Sequence, residues 1–220
     1  MSGTCKLEEV TTCAMNTESP LYARQKVLNL TVPERVSLVG CGGIGFWVAL
    51  YLAMAGIPKV DLVDPDVVEE SNLNRLPLPH SSVGQRKVTV LRSLLASLRP
   101  DAVVMAYAVP VSELLLKGLS PMVLVDCTDD PNAQELCYKY CCNNGTRYVR
   151  AGYNGGTHIT VTSTVAEWNA GLEGQNPRYE VVPSWVGGAV AAAVLALTKV
   201  MVLPDLEVSA DLRDFHGLRC

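Results

Sequence analysis

What this chain lacks narrows its reading first. None of its eight cysteines stands in a CxxC pair, so a structural zinc is not expected. Its 18 lysines and arginines nowhere form a run, and the net charge is −4. A nucleic-acid partner needs a clustered basic footprint, and none is expected here. The first 20 residues lack the basic-then-apolar order of a secretory leader. With the unpatterned cysteines, that points to reduced thiols and a cytoplasmic protein. The longest apolar stretch, Val186 to Leu203, is interrupted by Lys199 and opens on a Gly-Gly pair. It reads as a buried helix packed on a sheet, so no membrane association is expected. There is no internal repeat and no linker. Residues 1–16 are polar and irregular and read as a flexible N-terminus, with 17–220 as a single domain.

What is present is organised around residues 35–87. An apolar run, Arg35 to Val39, meets a turn containing Gly40, Gly42, Gly43 and Gly45. A helix-period segment follows from Ile44 to Ala55, then a second apolar run, Val60 to Val63, that ends on Asp64. Strand, glycine turn, helix, strand and terminal carboxylate make the first unit of a nucleotide-binding α/β fold. Glycines let backbone approach a phosphate without a Cβ in the way, and the helix start offers unpaired N–H groups and a positive dipole end. Asp64, roughly 20 residues beyond the turn, can accept ribose hydroxyls.

Further along, the spacing predicts helices over Gly84 to Leu98, Ser112 to Leu119, Pro131 to Asn143 and Val186 to Val202. Strands are predicted over Ala102 to Val109, Met122 to Val125 and Tyr148 to Ala151, with a short helix from Thr17 to Leu30 capped at Thr17 or Ser19. Thr157 to Val165 alternates and predicts an antiparallel strand, Glu167 to Pro183 a loop, and Leu206 to Ser209 a last strand. The fold class is therefore α/β: a Rossmann-like, doubly wound, mostly parallel sheet with antiparallel C-terminal strands.

Two polar clusters accompany the glycine turn. The loop Pro65 to Pro79 carries Asp66 and the run Ser71-Asn72-Leu73-Asn74-Arg75, and Lys87 follows shortly after. Loops at the carboxyl end of such a sheet are where ligands sit, and an amide, a guanidinium and an ammonium there suit a triphosphate. Solvated loop charge is the plainer alternative, especially for Arg86. Asp126 and Asp129 follow the strand at Val125, where a carboxylate can hold Mg²⁺ beside phosphates; N-capping by Asp129 or Asp130 competes. Arg24, on its own, reads as surface charge. Cys137, Cys141 and Cys142 read mostly as small buried apolar residues.

Taken together, GCGGIG, LVDPDVVEESNLNR, VGQRK and VDCTDD resemble, in order and spacing, the ThiF/MoeB and ubiquitin-activating family of adenylating enzymes. The resemblance spans roughly Leu21 to Lys199 and makes residues 17–220 an ATP-binding adenylation domain. It implies that ATP and Mg²⁺ serve to adenylate the C-terminal carboxylate of a small ubiquitin-like or sulfur-carrier protein, or of a peptide, with release of pyrophosphate. It further implies that Asp64 and Asp66, with the four glycines, hold the nucleotide and that Asp129 holds Mg²⁺. Asn72, Arg75 and Lys87 would contact the phosphates, and Arg24 would reach across the interface of a homodimer. The chain departs from the family in three ways: the two zinc-binding CxxC pairs are absent, 167–183 contains no cysteine, and Leu76 replaces the usual glutamine. Adenylation without a thioester step is the expectation for such a minimal member. The alternatives are a non-catalytic nucleotide-binding scaffold subunit and an NAD-dependent oxidoreductase. The latter leaves Arg75, Lys87 and Asp129 without a task.

Overall fold

The computed structural model of the protein describes residues 20–154, 156–165 and 183–217. The N-terminal stretch 1–16, the expected caps at Thr17 and Ser19, and nearly all of the expected loop from Glu167 to Pro183 lie outside the described residues. Within the described residues seven strands make one sheet: β1 (Arg35–Val39), β2 (Lys59–Val63), β3 (Val103–Tyr107), β4 (Val123–Asp126), β5 (Arg147–Tyr153), β6 (His158–Thr162) and β7 (Val208–Asp211). Their order is β3-β2-β1-β4-β5-β6-β7. The first five run parallel, and β6 and β7 are antiparallel.

Among the described residues, six α-helices accompany the sheet: α1 (Ala23–Lys26), α2 (Gly43–Met54), α3 (Lys87–Leu98), α4 (Glu113–Leu119), α5 (Pro131–Asn144) and α6 (Val186–Met201). Helices α2, α3 and α6 cover one face and α4 and α5 the other. That two-sided cover is why β1, β2 and β4 read as continuous apolar runs instead of alternating. On β1, Val36 and Leu38 enter the larger core and Val39 the smaller one. Helix α2 is apolar nearly all round because it is wedged between the sheet, α3 and α6.

Several expected boundaries are corrected. The helix from Thr17 to Leu30 reduces, among the described residues, to a 3₁₀ turn (Pro20–Tyr22) and the single turn of α1. Asn29 takes φ 49°, which no right-handed helix accommodates. The helix expected from Gly84 starts at Lys87 instead. Residues 84–86 turn back on the loop after β2, with the Gly84 N–H donating to the Val68 carbonyl at 2.8 Å and Val67 bridging to Arg86. Strand β3 is shorter at both ends than Ala102 to Val109, and the last strand lies at Val208–Asp211 instead of Leu206 to Ser209.

Lys199, the residue that broke the apolar run, is 0% exposed on α6. Its ammonium donates to the carbonyls of Pro204 and Leu206 and to Glu207 Oε1. Glu207 in turn accepts the Ser163 N–H, so one buried cation ties the end of α6 to the ends of β6 and β7. Lys199→Met is expected to destabilise the fold by about 2 kcal/mol in denaturant titration. It takes the donor away from the Pro204 and Leu206 carbonyls and leaves their contact lined by an apolar side chain, while half-exposed Glu207 remains solvated. Stability within a few tenths of wild type would overturn this account. Among the described residues, no helix is long and apolar enough to cross a membrane.

Candidate functional site

The site is assembled at the carboxyl end of the parallel strands, where β1 hands the chain to α2. Gly40 adopts φ +85°, and a Cβ there would stand 2.9 Å from the backbone of Cys127. The turn therefore packs directly on the segment leaving β4. Gly45 is tighter still: its Cβ would meet the Gly40 carbonyl oxygen at 1.8 Å. These two contacts draw the turn flat beneath the start of α2. Among the described residues, nothing lies within 4 Å of the Cβ position of Gly42, the N-cap of that helix, and no side chain caps the helix. The first N–H groups of α2 thus lack intrahelical acceptors and face an open cradle that suits a phosphate.

Asp64, at the end of β2, is 5% exposed. Its Oδ2 accepts the Cys41 N–H of the turn at 2.6 Å, and its Oδ1 accepts the Asp66 N–H at 2.8 Å. A carboxylate has about four lone-pair positions, so two backbone donors leave it able to accept hydroxyls as well. Asp66 projects outward and pairs with the Lys87 ammonium at 2.9 Å, while its carbonyl accepts the Lys87 N–H at 3.0 Å. The fold-back of residues 84–86 is what delivers Lys87 here, so an irregular loop followed by a longer helix would not have done so. Backbone, Asp64, Asp66 and Lys87 form one chain of contacts from the glycine turn to a cation.

Arg75 lies over the turn from the other side. A Cβ on Gly43 would press on its Cδ and Nε at 2.9 Å. Its Nη1 donates to the Ser71 carbonyl and to Asn74 Oδ1, both at 2.9 Å, and its carbonyl accepts the Trp47 indole N–H of α2 at 2.9 Å. Asn72 is buried, and its amide works within its own turn: Oδ1 accepts the Glu69 N–H and Nδ2 donates to Ser71. The structure places Asn72 as the support of the loop that presents Arg75.

The segment after β4 borders the same turn, since the Cys127 N–H donates to the Val39 carbonyl at 2.8 Å. Its three aspartates take different tasks. Asp126 is fully buried, accepting the Thr128 N–H and hydroxyl through Oδ1 and the Tyr148 hydroxyl through Oδ2 at 2.7 Å. The Arg150 guanidinium lies 3.8 Å from the same Oδ2. Burial, then the Asp126 charge, pushes the Tyr148 phenol up, which keeps it the donor. Asp130 caps α5 by accepting the Asn132 N–H. Asp129 is exposed, and it directly follows Thr128, whose backbone nitrogen would lie 3.0 Å from a Cβ on Gly40. No group of three His, Cys, Asp or Glu side chains suited to a metal occurs among the described residues. A single carboxylate of this kind fits Mg²⁺, which typically takes one or two carboxylates together with phosphate oxygens.

Cys41 and Cys127 flank the turn, but burial pushes both thiols up, with Asp64 adding to the first and Asp126 to the second. Thiols held protonated in this way are poor nucleophiles. Arg24 is not brought to the site. Helix α1 is anchored at the opposite end of the sheet, where Gln25 donates to the Ala55 carbonyl at 2.7 Å and Tyr22 to Asp101 at 2.9 Å. That end is a full α2 length from Gly43, 12 residues or about 18 Å. Leu76, in place of the usual glutamine, is buried in the larger core. Two further residues stand at the nucleotide end, Asn74 and Trp185, to which the motifs gave no role. Asn74 donates to the Ser184 carbonyl at 2.8 Å. Trp185, next after Ser184 in the chain, is the N-cap of α6, and the Gly-Gly pair at 187–188 was the available signal.

A model of the ThiF family matches residues 21–204. The Eremothecium gossypii protein "Adenylyltransferase and sulfurtransferase UBA4" is 39% identical over 118 residues, 52% of this chain and 27% of that protein. Its Aspergillus fumigatus counterpart is 41% identical over 106 residues, covering 46% and 21%. The matched stretch spans about a quarter of these relatives' length. Among solved structures, Escherichia coli MccB with ATP superposes with TM-score 0.69 at 21% identity, covering 86% of this chain and 64% of that one. The E. coli tRNA N6-threonylcarbamoyladenosine dehydratase TcdA with AMP gives TM-score 0.62 at 20% identity, covering 75% and 83%.

Proposed function

The chain belongs to the ThiF family, and from that membership and its glycine turn we propose that it is an adenylyltransferase. Its acceptor is the C-terminal carboxylate of a small ubiquitin-like or sulfur-carrier protein, or of a peptide. One observation carries the reading: the open cradle at Gly42 is ringed by Asp64, Lys87 and Arg75 at the end of the sheet where nucleotides sit. ATP is a substrate here. An oxygen of the tail carboxylate bonds to the α-phosphorus, the bond from that phosphorus to the bridging oxygen breaks, and pyrophosphate leaves.

The protein's share of this chemistry is positioning and charge. Asp64 accepts the ribose hydroxyls while its backbone bonds hold the turn flat. The first N–H groups of α2 receive phosphate oxygens. Lys87 and Arg75 stabilise the charge that spreads over the phosphates as the bond breaks, the largest single contribution in reactions of this type. Mg²⁺ at Asp129 would supply further neutralisation of the leaving pyrophosphate. Arg24, too far from its own turn, is assigned to the site of a second copy in a homodimer. The thiols at the turn, pushed up in pKa, favour an adenylate as the product passed on, without a thioester on Cys41 or Cys127. The cysteines, in no zinc or disulfide pattern, support reduced thiols and a cytoplasmic enzyme.

The test is ATP–pyrophosphate exchange driven by small carrier proteins ending in Gly-Gly. Exchange that depends on one of them establishes adenylation and names the partner. ATP binding without exchange by any carrier or peptide tail would sink the enzymatic reading and leave a nucleotide-binding scaffold. Asp129→Ala is expected to lower Mg²⁺-dependent exchange at least 100-fold, with the melting temperature within about 2 °C because the residue is an exposed carboxylate. Full activity in that variant would remove the metal from Asp129.

A further inference from the structure

Trp185 is the one large aromatic that the fold holds rigidly yet leaves out in solvent at the nucleotide end, among the described residues. It is 46% exposed. Its indole N–H donates to the Gly156 carbonyl in the turn between β5 and β6. The ring rests on the first turn of α6. A Cβ on Gly187 would come within 2.2 Å of it, and one on Gly188 within 3.2 Å of its Nε1. The preceding residue is tied down as well, for Ser184 bonds through its hydroxyl to Tyr153 and through its carbonyl to Asn74. A large apolar ring on a surface is ordinarily free to turn away or fold against the protein. This one is fixed by a hydrogen bond, a glycine platform and a pinned neighbour.

Its place relative to the glycine turn follows from two consecutive residues. Asn74 touches Ser184 at the start of α6, and Arg75 lies on Gly43 at the start of α2. Neighbouring Cα atoms are about 3.8 Å apart, so a dipeptide and its side chains bridge the two helix starts. Helices α2 and α6 pack side by side on the same face of the sheet. Packed helices stand about 8–10 Å apart, which an extended chain covers in about three residues.

Resting on the adenylation reading, we propose that Trp185 is a specificity-determining residue: its exposed face is the wall against which the acyl substrate's tail lies. The residue it meets is about the third from the reacting carboxylate. An indole face offers apolar area at little entropic cost and no partner for an anion. The substrate class is therefore a C-terminal tail with an apolar residue near that position, and an aspartate there is disfavoured because it would be desolvated without compensation.

The experiment uses the whole chain and synthetic decapeptides with free C-terminal carboxylates ending in Gly-Gly, with Leu or Asp third from the end. Pyrophosphate exchange gives KM and kcat, and calorimetry gives ATP affinity separately. Wild type is expected to prefer the Leu tail about tenfold in kcat/KM. Trp185→Ala is expected to raise the KM of the Leu tail about tenfold and erase the preference, with ATP affinity and kcat within twofold. Trp185→Phe is expected to restore most of it. An unchanged peptide KM in Trp185→Ala overturns the proposal while leaving adenylation standing. So does a parallel loss of ATP affinity, which would mark a structural role. ATP binding with no exchange for either tail would overturn the adenylation reading and this proposal with it.

Discussion

Gly45→Ala is expected to abolish ATP binding, with Kd rising at least 100-fold, and to lower the melting temperature by roughly 6–12 °C. The added Cβ would sit 1.8 Å from the Gly40 carbonyl oxygen, a contact with backbone that cannot swing aside. Overpacking against soft side chains costs about 1–3 kcal/mol, and a clash with backbone lies at the upper end of that range. For a chain of this size each kcal/mol shifts the midpoint by about 2–4 °C. Relief requires the turn to lift from α2, which also carries the Cys41 N–H away from Asp64. The control is Gly42→Ala, whose Cβ meets nothing within 4 Å and whose φ of −78° suits any residue. That variant is expected to melt as wild type does yet bind ATP about tenfold more weakly, because the methyl enters the cradle and not the protein. Calorimetry on the two variants separates fold from ligand. Unaltered ATP affinity in both would mean that the nucleotide lies elsewhere.

The second large effect concerns Lys87. Lys87→Met is expected to reduce the rate of pyrophosphate exchange by 100- to 1,000-fold while changing stability by less than about 1 kcal/mol. The asymmetry has a structural cause. Asp66, its ion-pair partner, is mostly in water, so the pair contributes little to the fold. The Lys87 side chain is only 12% exposed and its charge stands at the glycine turn, where it acts on developing phosphate charge with less screening than in bulk water. Lys87→Arg should recover only part of the rate, since a planar fork cannot replace a compact ammonium held by Asp66. A rate within threefold of wild type in Lys87→Met would remove it from the reaction and leave it a loop-fixing residue.

Gly45→Ala acts on a feature that could be read from the residues, and the reason is local. A strand buried on both faces shows as a short apolar run, and a turn that must approach another backbone shows as glycine, whatever the rest of the chain does. The helix expected over 17–30 illustrates the opposite case. Apolar spacing there was compatible with a long helix, but Asn29 breaks the φ sequence and Tyr22 and Gln25 anchor the segment to Asp101 and Ala55, both remote in sequence. The start of α3 was misjudged for a related reason. Residues 84–86 pair with 66–68, and no local periodicity reports a bridge across that distance.

By itself, the amino-acid sequence determined the alternation of strands and helices, the glycine turn, Asp64 as the terminal carboxylate of β2, and the family. All of these rest on residue type and on spacing along the chain. Tertiary structure alone decided which polar residues face the cradle. It sorted three neighbouring aspartates into a buried partner of Tyr148, a helix cap and an exposed carboxylate, because the parallel register sets Asp126 opposite Arg150. It moved Arg24 a helix length from its own site, turned Lys199 inward and fixed Trp185 outward. Each of these depends on groups brought together from distant segments by sheet pairing and helix packing, and such long-range contacts leave no periodic trace in the chain.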